Sequence, residues 1–335
     1  MSLEHYFAHY LPQIENEMKL IVGQAEDATY AAFYGMLHYH LGWMDAQFAP
    51  SSIAAGKHIR PMVCLLACEA AGGDPQTALP AAAAVELLHN FSLIHDDVED
   101  RSDTRRGRST LWKVWGVPQA INSGDALYTM AHMAFRRLAD YGVPLDRHIQ
   151  ARNRFDRTCL RLTQGQFLDM SFESRSDVTA AEYLEMIDGK TAALVSGAAA
   201  IGAIIAGGQA VDRYAEFGRE LGLAFQIEDD RLGIWGDPEV TGKSSASDIV
   251  SRKKSLPLLY GLARSEELRA LYAAPDIDVP RVVNLLEQIG AKEDTEKAAH
   301  ECTQKAMAAL DAAKPQGEAG ESLRELAHSL LGRRA

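Results

Sequence analysis

Apolar residues recur at three- and four-residue spacing through long stretches of this chain, a rhythm that restricts it to helices. Strand-like alternation is scarce, alanine is abundant, and aromatic residues make up only 7%. The expectation is an all-α fold. Proline and glycine divide the chain into about a dozen helical blocks. Gly72-Gly73-Asp74-Pro75 closes one helix and opens the next, which is predicted to run through residues 96–100. Residues 102–118 are basic, contain glycine and read as a loop. Gly207-Gly208 ends a helix of small residues, and the next block runs to about residue 233. Residues 236–254 read as a mobile loop, residues 274–280 and 312–320 are further breaks, and a last helix is predicted from Glu321. There is no repeat, no low-complexity tract and no break long enough for an interdomain linker. Residues 1–335 are therefore read as one helical domain.

A formal net charge of −12 disfavours nucleic acid as the main partner and suits a soluble cytoplasmic protein. The four cysteines, Cys64, Cys68, Cys159 and Cys302, form no CxxC pair and read as ordinary thiols. The N-terminal segment lacks a basic region followed by an apolar core, so no secretory signal is expected. Residues 192–208 are uncharged, yet they are built mainly from Ala and Gly and are short for a membrane span. A tightly packed buried helix is the better reading, and no transmembrane segment is expected.

The chemistry-bearing feature is the acid cluster Asp96-Asp97-Val98-Glu99-Asp100, followed by Arg105-Arg106-Gly107. On a helix the first and last of these carboxylates lie within about 40° of each other and about 6 Å apart along the axis. Like charges so close repel unless a counter-charge sits among them. Magnesium suits that place, because it takes hard oxygen ligands from one or two carboxylates plus substrate phosphates. Arginines just downstream supply donors for the same phosphates. A second acidic pair, Asp229-Asp230, follows Gln226 at the spacing i, i+3, i+4, so all three can line one wall.

At these residues the chain resembles the trans-isoprenyl diphosphate synthases, or polyprenyl synthetases, over roughly residues 56–260. Members carry Asp-Asp-x-x-Asp, then Arg-Arg-Gly, then Gln-x-x-Asp-Asp-x-x-Asp. Here the motifs read LIHDDVEDRSDTRRG and FQIEDDRLG, joined by AGKHIRP, DGKTAAL and GDPEVTGK. The resemblance implies a large all-α bundle around a central cavity, acting as a homodimer. It implies a reaction that ionises an allylic diphosphate, adds the carbocation to isopentenyl diphosphate and then removes a proton.

By the same resemblance, Asp96 and Asp100 bind magnesium on one wall with Asp97 in support, and Asp229 with Asp230 serves the facing wall. Three magnesium ions per site are implied. Arg105, Lys190, Lys243 and Lys253 would hold the allylic diphosphate. Lys57, Arg60, His89 and Arg106 match the metal-free pocket for isopentenyl diphosphate. Lys57 and Arg60 are spaced as one helical turn, a two-point anion clamp. His89 lies seven residues before Asp96, two turns down nearly the same face. Lys190, Thr191 and Gln226 stand among the catalytic residues, the latter two as neutral oxygen dipoles suited to a carbocation. The departing diphosphate is the family's base, so no His–Asp or Ser–His pair is needed.

The chain departs from the pattern at Gly233, where most members have a third Asp; Glu228 and Asp237 lie nearby in sequence. Phe91, five residues before Asp96, matches the position where an aromatic forms the floor of the product pocket. Ser92 follows, where the shortest-chain enzymes carry a second aromatic. The first motif also lacks the two-residue insertion of bacterial farnesyl enzymes. One aromatic floor without an insertion resembles the geranylgeranyl type, with farnesyl diphosphate as the other product in range. A class I terpene cyclase shares the first acid motif but pairs it with an Asn/Asp-x-x-Ser-x-x-x-Glu motif, absent here, and has no use for a second diphosphate pocket. A non-catalytic subunit of a heteromeric synthase would lose its acid motifs, and this chain keeps the first intact.

Overall fold

The computed structural model describes residues 2–51, 56–237 and 246–331. The first helices are α1 (Leu3–Val22), α2 (Ala31–His40), α3 (Ile59–Ala70), α4 (Leu79–Glu99), α5 (Leu111–Trp115) and α6 (Val117–Ala134). Then come α7 (Leu145–Glu173), α8 (Ala180–Ile187), α9 (Ala193–Ala206), α10 (Val211–Trp235) and the single turn α11 (Ser247–Val250). The chain closes with α12 (Leu256–Arg264), α13 (Glu266–Ala273), α14 (Val279–Gln288), α15 (Ala291–Ala313) and α16 (Gly317–Leu331). The all-α expectation holds, apart from a two-stranded ribbon of β1 (Thr104–Arg105) and β2 (Arg108–Ser109).

The punctuation read from the sequence works by capping. Asp74 accepts from the Gln76 N–H and Pro75 opens the turn that feeds α4. Thr179 and Glu182 form a reciprocal capping box at the start of α8. Residues 102–118 differ from the expected plain loop, because Arg106 and Gly107 both take positive φ (52° and 73°). That pair closes a tight hairpin whose twist matches its strands, and α5 follows at once. The last helix starts at Gly317, four residues before Glu321. Within residues 236–254, residues 238–245 lie outside the described part.

Two compact units emerge. The first comprises Met1–Phe155, Ala200–Gln209 and Gln316–Ala319, the second Asp156–Ala199, Ala210–Pro315 and Gly320–Ala335. In the first unit α4 is the central helix, packed against α6, α1 and α3. Its residues Ala81 to Leu88 are buried almost without exception, so apolar packing surrounds it on every side. In the second unit α10 plays that part, packed chiefly against α15.

Two segments have the length and hydropathy of membrane spans, Pro75–Glu99 and Ala180–Ala206, but 78% and 83% of their apolar windows are buried inside the protein. Small residues explain the tight packing expected of residues 192–208. A methyl group at Gly202 would lie 2.1 Å from the Cys64 carbonyl oxygen, and one at Gly197 would lie 2.4 Å from Thr158 Oγ1. All four cysteines are free thiols, and burial pushes Cys68 up to about 12.

Candidate active site

In the first unit, α4 ends in the acid motif. Asp100 caps the helix, its N–H donating to the Asp96 carbonyl at 2.8 Å, and Arg101 turns the chain away at φ 52°. A helix C-terminus carries partial negative charge, which makes it an unfavourable place for carboxylates. Four stand here, Asp96, Asp97, Glu99 and Asp100, with no basic residue in the last turn. The structure gives them different surroundings. Asp97 is 2% exposed and accepts from Arg105 Nε at 2.7 Å. Burial raises its pKa while Arg105 pulls the other way. Asp97 is thus a strut for Arg105, whose terminal nitrogens stay out of that pair. Asp96 is half-buried and Asp100 exposed, one turn apart. Two carboxylates at the negative end of a helix dipole fit a hard cation that phosphate oxygens would help complete. Among the described residues no three His, Cys, Asp or Glu side chains already form a cage for one.

Two turns from Asp96 toward the start of α4 the charge reverses. Arg60 Nη1 donates to His89 Nε2 at 3.3 Å. Because guanidinium can only donate, that ring nitrogen is the acceptor and the proton sits on Nδ1. Burial and Arg60 hold the imidazole well below its ordinary pKa, so His89 is neutral and keeps one N–H. The helical-turn reading of Lys57 and Arg60 needs correction. Helix α3 begins only at Ile59, and His58 before it takes left-handed φ 45°, so Lys57 lies on the approaching loop. The loop is close to the hairpin: a methyl group at Gly56 (φ 129°) would lie 2.7 Å from Arg106 Nη2. The hairpin is fixed in turn by Arg108, which donates to the Tyr39 and Met44 carbonyls at 2.9 Å and stacks on the Tyr39 ring. Lys57, Arg60, His89 and Arg106 all belong to this unit, and Gly56 and Arg60 link the loop, α3, α4 and the hairpin.

Phe91 faces α6, with its ring 5.0 Å from Tyr128 and 4.7 Å from His95. The contacts continue through His132 to Phe155 and Phe135. Ser92 does not extend this row, since its hydroxyl donates back to the His89 carbonyl at 2.9 Å.

In the second unit, DGKTAAL forms a π-helical turn, Asp188–Ala192, between α8 and α9. Such turns carry one residue more than an α turn and are frequent at functional sites. Glycines at the crossing with α7 allow it: a methyl group at Gly165 would lie 2.0 Å from the Lys190 nitrogen. Lys190 Nζ pairs with Asp169 Oδ2 at 2.5 Å. Thr191 donates to Gln226 Oε1 at 2.9 Å, and Gln226 Nε2 donates to Asp230 Oδ1 at 3.1 Å. Asp230 is fully buried, and its other oxygen accepts from the Tyr183 hydroxyl and from the Leu256 N–H at 3.2 Å. Burial raises it to about 6, with Lys253 and these donors acting against the rise. With both oxygens engaged, Asp230 holds the network together, and of the pair Asp229 alone is partly exposed. Lys253 stands among Asp230, Asp248, Asp229 and Asp169, which outweigh its desolvation and raise it to about 12. Lys243 lies outside the described residues.

The sequence pointed past Asp169, Tyr183 and Asp248. None of the three carried a local signal, because their partners are distant in sequence. Asp248 explains the departure at 233: a methyl group on Gly233 would lie 2.4 Å from Asp248 Oδ2. A carboxylate already fills that space, and it is neither Glu228, which pairs with Arg231 at 2.6 Å, nor Asp237. Gly233→Asp should therefore destabilise the protein by about 1–3 kcal/mol through overpacking and like charge, read by urea unfolding. Unchanged stability would show that Asp248 moves aside freely.

Residues 43–289 match the profile of the Polyprenyl synthetase family. A geranylgeranyl diphosphate synthase of Mycobacterium tuberculosis is 44% identical over 285 residues, covering 82% of this chain and 80% of that protein. A (2E,6E)-farnesyl diphosphate synthase of the same organism is 41% identical, covering 90% of this chain and 86% of its own. Among solved structures, a polyprenyl synthetase from Streptomyces coelicolor A3(2) superposes with a TM-score of 0.88 at 35% identity, covering 98% of each chain. Matched motifs, sequence identity and shared helical architecture agree, and the chain belongs to the polyprenyl synthetase family.

Proposed function

We propose that the protein is a trans-prenyltransferase that condenses isopentenyl diphosphate with an allylic diphosphate, giving geranylgeranyl diphosphate or farnesyl diphosphate. The observation that supports this reading is a pair of separate charged clusters set two turns apart along α4. Asp96 and Asp100, with Arg105 beside them, suit a metal-bridged diphosphate, whereas Lys57, Arg60, His89 and Arg106 suit one held without metal. His89 and Asp96 are seven residues apart, about 10 Å along the axis, which keeps two diphosphates from competing. A terpene cyclase takes one diphosphate and leaves the second site unexplained. An inactive subunit does not need Asp96 and Asp100 at the negative end of a helix.

Breaking the allylic carbon–oxygen bond leaves the electron pair on diphosphate, so fixed positive charge there lowers the barrier. Magnesium, three ions by the family resemblance, supplies that charge when bound. Arg105 adds donors, and Asp97 holds it ready. In the second unit, Lys190, Lys253 and Asp229 are the charged groups that the family pattern assigns to diphosphate and metal. Thr191 and Gln226 are neutral dipoles that a carbocation survives beside. The alkene of isopentenyl diphosphate attacks the cation, and the departing diphosphate takes the proton. We also read the protein as cytoplasmic, on its acidic composition, and as a homodimer. Val117, Ile121 and Met133 on α6 and Leu145 and Ile149 on α7 are large apolar side chains left exposed, as a second copy would require.

Purified protein with magnesium, isopentenyl diphosphate and each allylic primer tests the reading. Asp96→Ala or Asp100→Ala should each lower turnover by about a hundredfold or more while the helical circular dichroism stays unchanged. Near-wild-type rates would end the metal-grip argument. Phe91→Ala should shift products toward longer chains in the same assay, because removing the ring that packs on Tyr128 opens apolar space worth about 25 cal/mol per Å² to a growing tail. An unchanged product with lower thermal stability would make Phe91 ordinary core. Sedimentation at micromolar concentration should give twice the chain mass, and a monomer would remove the dimer.

A further inference from the structure

A carboxylate lies beneath the second diphosphate pocket that the reaction does not use. Glu86 sits on α4, one turn before His89, with 2% of its surface exposed and fully buried Val85 and Leu87 on either side. An ionised carboxylate in such a place is costly unless it is partnered. Its partners are the pocket itself. His58 Nδ1 lies 3.1 Å away, and Asn90 Nδ2 donates at 3.2 Å. Burial would raise its pKa, but His58 first, and Arg60 with it, bring it down to about 2. Arg106, over Gly56, also feels the Glu86 charge. Arg60 Nε, buried and without a hydrogen-bond partner, shows that this arginine is held by charge and by His89 rather than by a full set of bonds.

His58 ties the cluster to the substrate loop. It occupies the left-handed position between Lys57 and the first residue of α3, a conformation that costs energy in a non-glycine residue and persists only where its surroundings hold it. Its Nδ1 faces the Glu86 carboxylate at 3.1 Å, a charge contact rather than a well-aligned hydrogen bond. We propose that Glu86 is a positioning residue for isopentenyl diphosphate: through His58 it sets the loop carrying Lys57, and from beneath it keeps the buried Arg60 and Arg106 charged and in place. The inference rests on the reading of that pocket given above.

A pH dependence follows. Burial disfavours the His58 imidazolium, but Glu86 outweighs it and the net pKa is raised; Arg106 opposes and Glu15 on α1 assists. The His58–Glu86 attraction is therefore complete below the ordinary imidazole value of 6.5 and is lost as pH rises through the raised value. Above it the contact that holds His58 on Glu86 is lost, the loop carrying Lys57 is no longer fixed, and the pocket weakens.

The experiment is the Michaelis constant for isopentenyl diphosphate, at saturating primer and magnesium, from about pH 6 to about pH 9. Wild type, Glu86→Gln, His58→Gln and Lys57→Ala are compared. Glu86→Gln should raise this constant about tenfold, with turnover and the primer constant near wild type. Its pH dependence should flatten relative to wild type, and His58→Gln should flatten it in the same way. If Glu86→Gln fails to fold by circular dichroism, His58→Gln carries the test alone. Wild-type constants and slope in the Glu86 and His58 variants, with a raised constant in Lys57→Ala, would overturn the positioning role and leave the pocket standing. An unchanged constant in Lys57→Ala would remove the pocket, and with it this proposal. A fall in turnover alone, with the constant and its slope unmoved, would also overturn it.

Discussion

Burial of α4 on all sides governs the chemistry of the first unit. A helix with apolar packing around its middle can show charge to solvent only near its ends and along the few positions where neighbours part. Asp96 and Asp100 take the C-terminal end, and His89 with Arg60 takes an opening two turns earlier. In so dry a setting each charge needs a partner, because unpaired burial costs several kcal/mol per ion. Asp97 with Arg105 and Glu86 with His58 meet that demand. These pairs also constrain the groups beside them: Asp97 holds Arg105 Nε, and Glu86 faces His58 next to Lys57.

The second unit solves a related problem with backbone. The π turn brings Lys190 and Thr191 in sequence onto different partners, Asp169 on α7 and Gln226 on α10. It needs close backbone approach, which Gly165 and Gly189 permit. Asp230 then organises the site from inside, engaged by Tyr183, Gln226 and the start of α12. A paired Asp-Asp thus divides into one strut and one accessible carboxylate, as Asp97 and Asp96 do in the first unit.

Much of this was legible. Helical periodicity gave the fold class, and proline, glycine and capping residues placed most helix boundaries, because those signals act within a few residues. The hairpin at Arg106-Gly107 was missed, since an Arg-Gly pair is a weak turn signal beside Asn-Gly. The Lys57–Arg60 spacing misled, because a three-residue interval means one turn only if the helix has already begun. Gly233 read as a missing acid, and no local signal could reveal that Asp248 stands in its space.

The sequence alone determined that the chain is helical and which residue types carry its chemistry, because periodicity and motif spacing are local properties. Tertiary structure alone decided which carboxylates stay accessible and which hold another side chain. Asp96 and Asp97 are adjacent, as are Asp229 and Asp230, so composition cannot tell them apart. What separates them is burial and a partner: eight residues away for Asp97, 47 for the Tyr183–Asp230 contact. Glu86 and His58, 28 positions apart, meet only because α3 and α4 pack side by side. Desolvation acts on whatever the fold brings together, and it is burial with a partner that makes an acidic residue a support rather than an accessible charge.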